Sequence, residues 1–382
     1  MRVVLAGSGL LAVLSGGLFY LATVRGGVPE AADLVKVEVG EKACSPNHIT
    51  VPAGRRTFEI LNASSRPVEW EILQGVMVIE ERENIAPGFK QTLSATLAPG
   101  DYRITCGLLS NPTGSMVVTS TAASDAVSEG LPLLKAFIGP LSEYRVFLAM
   151  QGSAFERKVT SLADAIRSGD LAKARDAYQA ARLPYKQIEA IGGRFADLQT
   201  RVDGTALYLE KHEQDPAFLG FHRIEYGLYG QNSVDGLLAV AEQLASDAST
   251  MKQRLRDTRL TPDTLTGGAA MLARRLAEGR VEAGEDAYAH TDLPDFAANL
   301  SGMEKIARLL APAMTGAALP AADELNADLQ AARSVLDQFK TGEIYPAYTS
   351  ITITDRARLA AAFGDLGHAF EKAGEALRLV VS

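Results

Sequence analysis

Two cysteines, five histidines and one tryptophan in 382 residues leave few side chains for sulfur or imidazole chemistry. Cys44 and Cys106 allow either one disulfide or one pair of thiolate ligands. No H-E-x-x-H stretch occurs, which removes the zincin pairing of two imidazoles and a glutamate on one helix face. A complete zinc-hydrolase ligand set cannot be read from the chain. No long basic run occurs either, and the formal net charge is −8, so no nucleic-acid partner is expected. An acidic surface suits a cationic ligand.

What is present is apolar and divided. Hydrophobic residues make up 47% of the chain, enough for two or three domains with separate cores. The first residues carry no charge between Arg2 and Arg25. Residues 1–26 therefore read as a signal peptide or an uncleaved membrane anchor, and export to the periplasm is expected. From Leu34 the pattern alternates in short β-branched runs such as "LVKVEV", "RTFEILNASS", "VEWEIL" and "SMVVTS". Punctuation by Pro-Ala-Gly and Ala-Pro-Gly predicts an antiparallel β-sandwich of seven or eight strands over residues 34–119. A Ser/Ala/Asp-rich linker at 120–130 follows. Residues 131–382 then take on a period of three to four, which predicts an all-helical bundle. Asp170 and Thr354 are placed to cap two of its helices.

In the helical half, "GFHRIEYGLYG" sets His222 and Glu225 at i,i+3, on one side of a helix. Imidazole nitrogen and carboxylate oxygen can share one ion, but two ligands do not hold a metal well. The bland reading is a solvated or structurally hydrogen-bonded pair. "AYAHTDLPDF" adds His290, Asp292 and Asp295 as further candidates, although Asp292 also suits a helix start before Pro294. His212 and His368 have no comparable setting.

In the β half, a blue-copper centre needs two imidazoles and usually an axial thioether. His48 is the one histidine there, and neither His nor Met follows Cys106 before Met116. Carboxylates are plentiful instead. Alternation puts Glu69 and Glu71 on one face of a strand and Trp70 on the other. Glu80, Glu81 and Glu83 follow. Such a group could build an oxygen-rich site for a harder cation, or it could be merely solvated.

The stretch "EWEILQGVMVIEERENIAPGFKQTLSATLAPGDYRITC" resembles the cupredoxin-like domain of the EfeO family of bacterial periplasmic iron-uptake proteins. "DLAKARDAYQAARLPYKQIEAI", "GFHRIEYGLYG" and "YAHTDLPDF" resemble the imelysin-like helical domain of the same family. The resemblance spans roughly residues 34–380. It implies a cupredoxin-like sandwich followed by an imelysin-like bundle, acting in capture and delivery of iron with copper assisting; copper and zinc are the further ions expected as candidates. It implies a membrane iron permease and a periplasmic haem peroxidase as partners. Matched by motif, Cys44, Glu69 and Cys106 would form one β-domain site, Glu80, Glu81 and Glu83 another, and His222 with Glu225 would anchor a helical-domain site. Two departures stand out. Gln151 occupies a usual glutamate position, and after the retained Asp203 the run Gly204-Thr205-Ala206-Leu207 lacks the usual Glu-Asp. The competing classes are a metallopeptidase and an envelope protein that binds acidic polysaccharide around structural metal sites.

Overall fold

A computed structural model describes residues 34–75, 77–107, 111–121, 124, 134–377 and 379. The apolar stretch 1–26 lies outside them. Among the described residues no helix is long and apolar enough to cross a membrane, so the expected transmembrane segment is not found there.

Among the described residues the first domain is a sandwich of nine strands: β1 (Leu34–Val39), β2 (Cys44–Ser45), β3 (His48–Pro52), β4 (Gly54–Asn62), β5 (Val68–Gln74), β6 (Met77–Ile85), β7 (Lys90–Leu97), β8 (Gly100–Ile104) and β9 (Gly114–Thr119). They form a four-stranded sheet, β2-β1-β4-β7, and a five-stranded sheet, β3-β9-β8-β5-β6. Alternate residues such as Ile49 and Val51 are buried between the sheets, as a period of two requires. Trp70 is fully buried there, with its ring 5.3 Å from that of Phe58. The expected all-antiparallel arrangement fails at two places: β1 pairs parallel with β4, and β3 with β9. Alternation encodes which face is buried and carries no information on strand direction.

The second domain is helical: α1 (Leu134–Arg167), α2 (Leu171–Gly192), α3 (Ala196–Asp203), α4 (Gly220–Glu225), α5 (Leu238–Asp257), α6 (Pro262–Arg275), α7 (Asp292–Leu310), α8 (Leu319–Asp337) and α9 (Ile353–Ala376). α1 packs along α2 and α5, α7 along α2, and α9 along α6 and α8. Asp170 caps α2 as expected, accepting from the Lys173 amide. The cap of α9 is Thr352 and not Thr354, because Thr352 is the residue still in extended backbone and accepts from the Asp355 amide.

β6 is the edge of its sheet, and the helical domain covers it. The Val78 amide donates to the Arg194 carbonyl at 2.7 Å, and Arg194 Nε donates back to the Val78 carbonyl at 2.9 Å. Leu73, Val78 and Met271 form a small apolar cluster beside this contact. An edge strand left open would be a template for unwanted pairing. Here it is the line along which the two domains meet.

Candidate metal centre

α4 is only six residues long, and Gly220 at its start decides where it lies. Gly220 has φ +68°, and a Cβ there would sit 2.3 Å from the carbonyl oxygens of both Arg201 and Val202. Only glycine lets the chain pass this close under the end of α3. The crossing brings His222 beside Asp203.

His222 Nδ1 lies 2.7 Å from Glu225 Oε2, and its Nε2 lies 3.4 Å from Asp203 Oδ1. The other oxygen of Glu225 accepts the amides of Tyr288 at 2.7 Å and Ala289 at 2.9 Å, so this carboxylate is fixed from behind. After Glu225 the helix widens into a π-turn, Tyr226–Gly230, a distortion that often accompanies functional sites. Burial alone would push the His222 imidazole down. Its hydrogen bonds to Asp203 and Glu225 outweigh that and raise it to about 10.

Asp286 completes the group. One donor atom from each of His222, Glu225 and Asp286 lies within 4.8 Å of the others, all three residues being buried. Asp286 accepts hydroxyl donors from Thr291 at 2.5 Å and Tyr178 at 3.3 Å, and Arg182 stands 3.2 Å away. One imidazole and two carboxylates form a nitrogen–oxygen donor set that suits iron or zinc better than a soft ion. The residues fit an ion on condition that His222 gives up a proton.

Behind this trio is a ring of built-in cations. Arg182 and Lys186 on α2 are both fully buried. Arg182 contacts Asp203 at 2.9 Å and Asp295 at 2.5 Å; Lys186 reaches Asp203 at 2.8 Å and Glu285 at 3.1 Å. Burial would raise the Asp203 carboxyl, but Lys186 and Arg182 hold it well below the usual range. Arg182, Lys186 and Glu189 recur at i, i+4 and i+7, a signal visible in "ARLPYKQIEA". Read without the fold, such a row of charges is a solvated helix face, and no local pattern points to Arg182, Lys186, Glu285 or Asp286.

The other residues that the sequence offers as ligands fall elsewhere. Asp292 lies at the first turn of α7 and accepts the Glu285 and Asp286 amides, shaping the loop that delivers Asp286. Burial, then the neighbouring Asp286, pushes its carboxyl up to about 7. His290 sits in left-handed backbone, φ 57°, with its amide on the Asp286 carbonyl. Neither joins the trio. Cys44 and Cys106 are bonded to each other across 62 residues, so in this state neither sulfur is a thiolate ligand and the Cys44–Glu69–Cys106 grouping is not held together as a metal site. Glu80, Glu81 and Glu83 do not converge on one point either. They face Arg274, Arg275 (2.6 Å) and Arg280 (3.0 Å) of the helical domain, and Arg82 between them faces Glu278. These carboxylates are ion-paired across the domain boundary.

Glu69 and Glu83 line a cavity of about 320 Å³ between the domains, together with Asp203, His222, Tyr208 and Arg280. Gly204, Thr205, Ala206 and Leu207 form part of the same wall.

Comparison with known proteins places these features in context. Residues 140–371 match the imelysin family and residues 11–118 the cupredoxin-like domain. The chain is 40% identical over 329 residues to the iron uptake system component EfeO of Yersinia pestis, covering 86% of this chain and 87% of that protein. It is 39% identical over 331 residues to EfeO of Escherichia coli strain K12, with coverage of 86% and 88%. For EfeO of Yersinia pseudotuberculosis serotype I, strain IP32953, the identity is 38% over 345 residues, covering 90% of both chains. A purple cupredoxin from Nitrosopumilus maritimus aligns at 16% identity over 22% of this chain and 99% of that one, with a TM-score of 0.19, too distant to carry an argument.

Proposed function

The chain belongs to the EfeO family, and from that premise we propose that it captures iron in the periplasm and delivers it to a membrane permease. The observation that carries this reading is the buried trio His222, Glu225 and Asp286, reached from the cavity on the His222 side. Iron is the cargo, and the trio is its resting place in the helical domain. Copper or zinc would compete for the same nitrogen and oxygen donors.

The chain's own residues account for capture and release. The backbone amides of Tyr288 and Ala289 orient Glu225, and Tyr178 and Thr291 orient Asp286, so two ligands are placed before the ion arrives. In the ion-free protein the His222 proton fills the positive position between Glu225 and Asp203. An ion must exchange with that proton, which keeps binding reversible. Transport fits better than hydrolysis. Asp203, the carboxylate next to His222, is neutralised by Arg182 and Lys186 and makes a poor general base. The permease, with a haem peroxidase as third component, supplies the receiving side in this reading.

The test is element-specific analysis of the full chain after anaerobic loading with Fe(II), beside a His222→Gln/Glu225→Gln variant. Loss of one bound iron in the variant, with the fold intact, is expected. Equal iron content in both proteins would sink the assignment.

A further inference from the structure

Arg182 lies on α2 behind the trio, and its three guanidinium nitrogens face three different acids. Nε donates to Asp295 at 2.5 Å and Nη1 to Asp203 at 2.9 Å. Nη2 stands 3.2 Å from Asp286 Oδ1 yet donates no hydrogen bond to it. That oxygen accepts instead from the Tyr178 hydroxyl at 3.3 Å. The third contact is therefore one of charge alone, and it falls on a ligand of the centre.

Among the described residues no other arginine or lysine pairs with Glu225 or Asp286. Lys186 reaches Asp203, Glu189 and Glu285, and Arg280 reaches Glu83, Glu189 and Glu285. The Arg182 charge is also poorly screened. Its side chain is fully buried, with the centre of the Phe221 ring 5.2 Å away and that of Tyr178 5.7 Å away. Glu225 and Asp286 together carry two negative charges, the match of a divalent ion. Asp203, the acid beside His222, is already engaged by Arg182 and Lys186 and offers little to a third positive charge. A fixed cation against a ligand repels the ion in proportion to its charge, so it weighs more on Fe(III) than on Fe(II).

We propose that Arg182 is the specificity-determining residue of the helical-domain centre: its guanidinium, set against Asp286, biases the site toward divalent over trivalent iron. This rests on the functional reading above and adds a preferred charge to it. Arg182 ligates nothing itself and acts through Asp286. The midpoint potential of bound iron reports the bias directly, because it rises as ferric affinity falls relative to ferrous affinity.

The experiment is a redox titration of the iron-loaded full chain, followed by the electron paramagnetic resonance of the ferric form. In Arg182→Met/Asp295→Leu the buried pair gives way to apolar side chains of similar size, a replacement that folds commonly tolerate. Asp203 keeps Lys186 as its partner in that variant. The midpoint potential is expected to fall by about 60 mV or more, the equivalent of a tenfold rise in ferric over ferrous affinity. Arg182→Lys keeps the charge and should keep most of the parent potential; it also tests the proposal if the apolar pair does not fold. Two results would overturn it. An unchanged potential in the apolar variant would make Arg182 a purely structural residue. An equal fall in Arg182→Lys would assign the effect to the hydrogen bonds of the guanidinium and not to its charge. A control separates the underlying reading: if the unsubstituted chain holds no iron that His222→Gln removes, the helical centre itself is wrong, and the role of Arg182 falls with it.

Discussion

Glu83 of β6 and Arg280 of the helical domain are 197 residues apart in the chain and 3.0 Å apart in space. The same guanidinium reaches Glu189 at 2.6 Å and Glu285 at 2.8 Å. Arg280 comes from a second π-turn, Leu276–Arg280, which extends α6 toward the cavity. One side chain thus ties the sandwich to the charge network behind the metal centre.

Replacing Arg280 with Met would leave three carboxylates without their shared counter-charge. Breaking a buried pair in this way costs about 3–5 kcal/mol. Urea denaturation should show the loss. Hydrogen exchange should rise along β6, since the domain contact weakens with it.

Ion binding should release a proton. His222 is held protonated up to about 10 by its two carboxylate partners, against the effect of burial. At pH 7 an ion can use its nitrogen only after that proton leaves, so affinity should rise about tenfold per pH unit. Calorimetry in buffers of different ionisation enthalpy should read close to one proton per ion. In His222→Gln any residual binding should release none.

The ion-free protein should lose stability in alkali. The folded value of His222 is raised, so its contribution is fully present below about 6.5, the unfolded value, and is lost as pH rises toward about 10. Urea midpoints of the parent and His222→Gln should differ most near pH 6 and converge near pH 10. A constant gap across that range would contradict the assigned protonation.

Reducing the Cys44–Cys106 bond reopens a loop of 62 residues. Chain entropy puts the cost at about 4 kcal/mol for a loop of this length. A Cys44→Ser/Cys106→Ser variant should melt the sandwich earlier and keep iron in the helical centre. Loss of that iron would mean the two sites are not separate.

Gly220→Ala should damage the centre without touching a ligand. The added methyl meets the Arg201 and Val202 carbonyls at 2.3 Å in a left-handed backbone, so α4 must shift. A fall in both melting temperature and ion affinity is expected, with His222 displaced from Asp203. Ala at Gly267, where a Cβ meets nothing within 4 Å, serves as the harmless control.

How much of this was legible varies by range of interaction. Alternation around Trp70 identified the sandwich, because burial in a strand is written every second residue. The i,i+3 spacing identified His222 and Glu225, because both lie on one helical turn. Asp286 arrives from a loop shaped by Asp292, and no local pattern announces it. Glu80, Glu81 and Glu83 looked like ligands because their arginines come almost two hundred residues later. Cys44 and Cys106 offered two chemistries, and only the folded distance between them chooses. Charged residues mislead in the same direction on α2, where Arg182 and Lys186 have the pattern of a wet face and are fully buried.

The edge of β6 also has a consequence for synthesis. The Arg194 group that closes it follows Val78 by 116 residues, so the sandwich is made with one border still bare. During that interval four consecutive charged side chains, Glu80 to Glu83, guard the border against a second copy of itself. The ion pairs that later join the domains begin as a means of keeping nascent chains apart.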